Sequence, residues 1–253
     1  MAQDQHGIRL AGSEYARSFG PAAERYHRLR PGYPAEAVDF VLHGRSPGRL
    51  LDVGAGTGKL TALLVDRAEQ VIAVEPDVQM RQVLSQAVPA AQVLAGSAER
   101  LPVPDASVDA VFAGQAFHWF TRPDADRELA RVLRPGGVVG LIWNLPDITR
   151  PWVPELYRAT RRPDVPWSTD DDDLDTTLFT PTEVHWTPWT QQLPGFAGLR
   201  ELVHTWSWVL TRPAAEQHAV DERLRVLAGR HAELQGETIE FPHRTKTVRQ
   251  YLR

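Results

Sequence analysis

The most constraining feature of this chain is a glycine-rich turn, Asp52-Val-Gly54-Ala-Gly56-Thr-Gly58, that directly follows the apolar run beginning at Arg49. Glycine adopts backbone conformations that side chains forbid, and it lets a ligand approach the main chain closely. Such a turn between a strand and a helix is typical of parallel α/β sheets, whose ligands sit at the carboxyl ends of the strands. The flanking pattern agrees. Helical spacing over Leu60 to Arg67 leads to the apolar run Val71 to Val74, and a helical stretch from Val78 to Ala87 leads to Ala91 to Leu94. A fourth run, Val108 to Ala113, is joined by helical spacing from Asp124 to Leu133 to a fifth, Gly137 to Trp143. Apolar runs alternating with helical patterns predict βαβ units and a doubly wound, mostly parallel α/β sheet.

On either side of this unit the pattern changes. A helical leader, Ser13 to Leu42, is broken by Arg30-Pro-Gly-Tyr-Pro34, where the prolines force extended backbone. After Trp143 the rhythm stops, and Asn144 to Gln192 is rich in Pro, Trp and acidic residues, including Asp170 to Asp173. Leu199 to Leu210 alternates like a half-buried strand. A helix with Val220, Leu224 and Leu227 on its apolar face and a last strand within Glu237 to Leu252 complete the chain. The reading is one domain, 1–253, with a cap (13–45), a ligand-binding core (46–144), a substrate-side insertion (145–198) and C-terminal strands and helix (199–253).

Composition narrows the chemistry. A net charge of −4 provides no broad positive field for nucleic acid or anionic lipid. The absence of cysteine removes disulfides, thiolate nucleophiles and cysteine-ligated metals. Adjacent carboxylates at Asp170 to Asp173 lack a metal-loop spacing, and His185 and His204 lack a zinc spacing, so no metal is expected. Apolar runs are too short to span a bilayer, and Met1 to Leu10 has no signal architecture. The expectation is a cytoplasmic monomer or homodimer acting on a small molecule, without nucleic acid or membrane. Most of the eight tryptophans fall between Trp143 and Trp208, as a pocket wall or as a satellite core.

The acid Glu75, at the end of the second strand, is placed to accept hydrogen bonds from ribose hydroxyls. A phosphate-binding P-loop is excluded, because Gly58-Lys59 is followed by Leu60. The dinucleotide fingerprint fails too, since its third glycine comes one residue early. Asp-x-Gly-x-Gly-x-Gly instead resembles the first motif of class I S-adenosylmethionine-dependent methyltransferases. Glu75-Pro76-Asp77 resembles the second, ribose-binding motif, and Gly96-Ser97-Ala98-Glu99 resembles the adenine-lining segment, with Ser97 where many members carry Asp. Gln115-Ala-Phe-His-Trp-Phe120, Arg131 to Gly137 and the leader from Phe19 to Pro34 resemble the trans-aconitate methyltransferase-like branch, spanning residues 13 to 144.

The resemblance implies a seven-stranded Rossmann-like sheet with a helical cap, an insertion between strands five and six, and an antiparallel last strand. It also implies S-adenosylmethionine held by Asp52, Gly54, Ala55, Gly56, Gly58, Glu75, Pro76, Ser97, Ala98, Glu99 and Gln115, with Tyr26 and Arg30 from the leader. Tyr33, His118, Trp119, Trp143 and Asn144 are the candidate acceptor contacts. His118 is either a catalytic base or a packing residue. The reaction expected is in-line methyl transfer to an oxygen or nitrogen of a small, partly apolar molecule. The rivals are a chain of this fold that binds S-adenosylmethionine without methylating, and a NAD-dependent dehydrogenase.

Overall fold

The computed structural model describes residues 23–160 and 174–253. Two leader helices, α1 (Ala23–Leu29) and α2 (Ala35–Leu42), precede strand β1 (Arg49–Val53). There follow α3 (Thr61–Leu64), β2 (Gln70–Val74), α4 (Val78–Ala87), β3 (Gln92–Leu94), β4 (Val108–Gly114), α5 (Asp124–Val132) and β5 (Leu133–Pro146). The remainder is α6 (Trp152–Ala159), β6 (Glu183–Pro194), α7 (Gly195–Val203), α8 (Ser207–Leu210), α9 (Ala214–Arg230) and β7 (Thr238–Tyr251). The strands form one seven-stranded sheet in the order β3-β2-β1-β4-β5-β7-β6. Pairings from β3 through β5 are parallel, and β7 runs antiparallel to both β5 and β6.

Strand parity explains the double winding. Leu51, Val53, Ile72 and Val74 enter one core layer with Leu129 and Val132 of α5. Leu50, Val71, Phe112 and Ile142 enter the opposite layer with Val38 and Val41 of α2. A strand buried on both faces must be apolar at nearly every position, and β1 is buried from Leu50 to Val53. Gly140 allows α2 its close approach, because a Cβ there would sit 2.6 Å from a Val41 methyl. Each of these fully buried aliphatic side chains contributes about 1.5–3 kcal/mol.

The C-terminal region departs from the sequence expectation. Leu199 to Leu210 is helical, as α7 and α8, rather than a strand. Its buried residues, Leu199, Leu202, Val203, Trp206 and Val209, recur at helical spacing. The rings of Trp206 and Trp208 lie 4.9 Å apart, and Trp206 stacks on Tyr157 at 4.8 Å. The sixth strand lies earlier, inside the region read as an insertion, where Pro188 and Pro194 occupy an edge that needs no further N–H donors. Helices α6, α7, α8 and α9 pack with Leu193, Ile239 and Phe241 into a separate helical core. Trp152 is buried there against Phe241, so it is structural and not part of a lid. Ser13 to Ala22, Trp167 and Asp170 to Asp173 fall outside the described residues. Among those described, no helix is long and apolar enough to cross a membrane, and no group of three or more His, Cys, Asp or Glu could hold a metal.

Candidate functional site

A cavity of about 590 Å³ opens at the carboxyl ends of β1, β2 and β4, roofed by Arg30, Pro31 and Tyr33 of the segment between α1 and α2. Its floor is the glycine loop. Gly54 has φ +68°, and a Cβ there would lie 2.7 Å from that of Ala116, so no other residue fits without displacement. Gly56 has φ +56° and open space where a Cβ would stand, a groove along which a ligand can run. The loop's own amides are largely consumed. Gly54 and Ala55 donate to the Val74 carbonyl, Gly56 to Glu75 Oε2 at 2.8 Å, and Gly58 to the Ala55 carbonyl. The loop therefore provides shape rather than the cluster of N–H donors that a pyrophosphate needs. The helix that follows, α3, has only four residues.

Glu75 lines the cavity and is itself almost buried. Its Oε1 accepts the Asp77 amide at 2.9 Å while Oε2 holds Gly56. Burial pushes its carboxyl above the ordinary range, against the pull of the two amides. Asp77 caps α4 by accepting the amides of Gln79 and Met80, which aims the first turn and Met80 at the cavity. Pro76, Ser97, Ala98 and Glu99 continue the same wall. Burial would raise Glu99, but hydrogen bonds led by the Thr121 amide, with Ser97 contributing, hold it below its usual value. These groups fit an adenosine-bearing ligand: a carboxylate with spare acceptor capacity for ribose hydroxyls, beside an apolar and hydroxyl-lined slot.

Asp52 does not line the cavity. It is fully buried beneath the loop, with Oδ2 accepting the Thr61 hydroxyl at 2.6 Å and Oδ1 lacking a partner among the described residues. Burial pushes its carboxyl up to about 7. Gly58 packs against Leu84 and Val88 instead of the ligand space.

On the other side, Gln115 (φ +55°), Asn144, Tyr33 and Trp119 all line the cavity. Tyr33 packs on Gly114 so closely that a Cβ there would lie 2.7 Å from its hydroxyl. Asn144 is committed to holding structure. Its Nδ2 donates to the Gly32 carbonyl and its Oδ1 accepts from Thr245 Oγ1, both at 2.7 Å. Thr245 in turn accepts from Trp189 Nε1 at 2.7 Å, and Gln115 Nε2 donates to the Asn144 carbonyl. Gln191 Nε2 donates to the Leu29 carbonyl, and Arg30 Nη2 donates to that of Thr205. Three elements thus pin the roof at Leu29, Arg30 and Gly32. Beside them His243, stacked on Trp189, is driven down to about 4, chiefly by burial.

Two sequence-selected residues fall elsewhere. His118 is exposed on the 3-10 turn Phe117–Trp119 and does not line the cavity. Trp143 is buried in the sheet core, edge-on to Phe117. Tyr26 lies on α1. Lys59, Leu60, Met80, Ala116 and Thr121 line the cavity without having been singled out. The signal for Lys59 in the sequence is its position directly after Gly58, where it closes the glycine loop.

A family model described as a methyltransferase domain matches residues 51–141. An uncharacterized methyltransferase of Mycobacterium tuberculosis (strain ATCC 25618 / H37Rv) is 42% identical over 238 residues, covering 92% of this chain and 94% of the relative. Among solved structures, a putative type II methyltransferase from Anaeromyxobacter dehalogenans superposes with a TM-score of 0.64 at 24% identity, covering 88% of this chain and 97% of the other. The [4+2]-cyclase SpnF shares the fold at a TM-score of 0.54 and 16% identity, covering 94% and 96%.

Proposed function

The chain belongs to the class I S-adenosylmethionine-dependent methyltransferases, and we propose that it binds S-adenosylmethionine in this cavity and methylates an oxygen or nitrogen of a small, partly apolar acceptor. The observation that carries the cofactor assignment is Glu75, a buried carboxylate on the cavity wall, beside a glycine loop whose glycine amides are already in use. A dinucleotide would leave its pyrophosphate without those donors, which disfavours the dehydrogenase. In this reading Gly54, Ala55 and Gly56 border the amino-acid tail, and Pro76, Ser97, Ala98 and Glu99 border the adenine.

S-Adenosylmethionine supplies a methyl carbon already activated by a positive sulfur. What remains for the protein is to position, desolvate and shield the reactants. Tyr33, held by its fit on Gly114, and Trp119 wall the acceptor side, while Asn144 fixes the roof that carries Tyr33. No histidine lines the cavity among the described residues. We therefore assign His118 no proton transfer and expect an acceptor atom that needs no base, such as a carboxylate or an acidic hydroxyl. The proposal also keeps the protein cytoplasmic, a monomer or homodimer, and independent of nucleic acid.

The cyclase among the fold neighbours keeps a second reading in view, a chain that binds S-adenosylmethionine without methylating. Calorimetry with S-adenosylmethionine, S-adenosylhomocysteine and NAD tests the first reading. Binding of NAD alone would end it. Glu75→Ala should weaken S-adenosylhomocysteine by at least about tenfold, the loss of two charge-assisted hydrogen bonds. Labelled methyl transfer over carboxylates, phenols and heterocycles then separates the readings: tight cofactor binding with no product from any class favours the second.

A further inference from the structure

The cavity wall is electrically divided. Its acids, Glu75 and Glu99, follow β2 and β3, whereas its cations, Lys59 and Arg30, stand on the glycine loop and on the roof held at β5. An anionic group bound here finds little help from the loop backbone, since the amides of Gly54, Ala55, Gly56 and Gly58 are in use. Arg30 has Nη2 on the Thr205 carbonyl. Lys59 is half-buried, and no carboxylate pairs with it among the described residues. A titratable group that feels its charge is another base, His27 of α1, whose ring hydrogen-bonds to the Thr57 backbone and whose buried Nδ1 has no partner among the described residues. Burial pulls Lys59 below its usual value, and burial followed by the Lys59 charge pulls His27 down. A partly desolvated ammonium in a cavity wall, with a second base within reach of its field, favours the arrival of an anion.

We infer that Lys59, on the glycine loop in the cavity wall, is the carboxylate anchor of the cavity and takes the amino-acid carboxylate of the methyl donor. This rests on the S-adenosylmethionine reading above. It moves the anchoring role from the leader's Tyr26 and Arg30 to the loop itself.

The test is calorimetry of wild type, Lys59→Met and Lys59→Arg with two probes. S-Adenosylhomocysteine carries the carboxylate; 5′-methylthioadenosine has the same adenosine and sulfur without it. Lys59→Met should weaken S-adenosylhomocysteine roughly 10- to 100-fold, the worth of one charge-assisted hydrogen bond. It should leave 5′-methylthioadenosine within about twofold, and Lys59→Arg should recover most of the loss. A Lys59→Met protein that loses both probes alike would overturn the inference, making Lys59 a support of the loop. One that loses neither would overturn it by placing the carboxylate elsewhere. Wild type that binds neither probe would overturn the methyl-donor reading and the anchor with it. Wild type that binds both, with Lys59→Met unchanged, would overturn the anchor alone.

Discussion

Asp52 makes a measurable claim about the energy stored under the glycine loop. Its carboxyl is fully buried, has the Thr61 hydroxyl on Oδ2 and no partner on Oδ1 among the described residues, and is pushed by burial from the ordinary 3.8 to about 7. A shift of about three units corresponds to about 4 kcal/mol of destabilisation once the group is ionised. The sign follows from proton binding. Between roughly pH 4 and pH 7 the folded chain holds a proton on Asp52 that the unfolded chain has lost, so stability falls as pH rises through that window and levels off above it. Asp52→Asn removes the titration. Urea unfolding of both proteins without ligand, at pH 5 and pH 8, isolates the effect, because any fixed cost of the amide cancels in the comparison. Glu75, also raised, titrates in both chains. The variant should gain about 2–3 kcal/mol on wild type between the two pH values. Parallel pH profiles, agreeing within about 0.5 kcal/mol, would refute the placement of an unsatisfied carboxyl beneath the loop.

Two further outcomes test the roof and the reassignment of His118. Thr245→Val breaks the hydrogen-bond chain from Trp189 to Asn144 and leaves an indole N–H without its acceptor, so chemical denaturation should show a loss of about 1–3 kcal/mol. Because Asn144 holds Gly32, KM for the methyl donor should rise more than kcat falls, with Thr245→Ser restoring both. His118→Ala should leave the rate of methyl transfer within about twofold at saturating substrate; a fall of roughly 10²-fold or more, the usual worth of a general base, would return His118 to the catalytic centre.

How much was legible in the sequence follows the range of the signals involved. The glycine turn, Glu75 and the strand–helix alternation from Arg49 to Trp143 are local, and each is found in its expected order, although α3 ends early at Leu64 and β5 extends from Leu133 to Pro146. Across the C-terminal half the local signals compete. In Leu199 to Leu210 the Trp206-Ser-Trp208-Val stretch mimics strand alternation, while the burial set follows the helical period, because the partner surface is the helical core around Tyr157 and Leu224. Strand β6 was hidden for the opposite reason. Its prolines and exposed Val184 and Trp186 read as loop, yet an edge strand needs only one neighbour, and β7 supplies it along the whole length. Asn144 shows the limit most clearly. Its position at the end of β5 was readable, but its role depends on Thr245, 101 residues away, and on Gly32, 112 residues away. No periodicity encodes such pairings. They arise only once the antiparallel β7 lies beside β5, and through them the antiparallel pair β6 and β7, outside the matched methyltransferase segment, sets the position of the residues that roof the cavity.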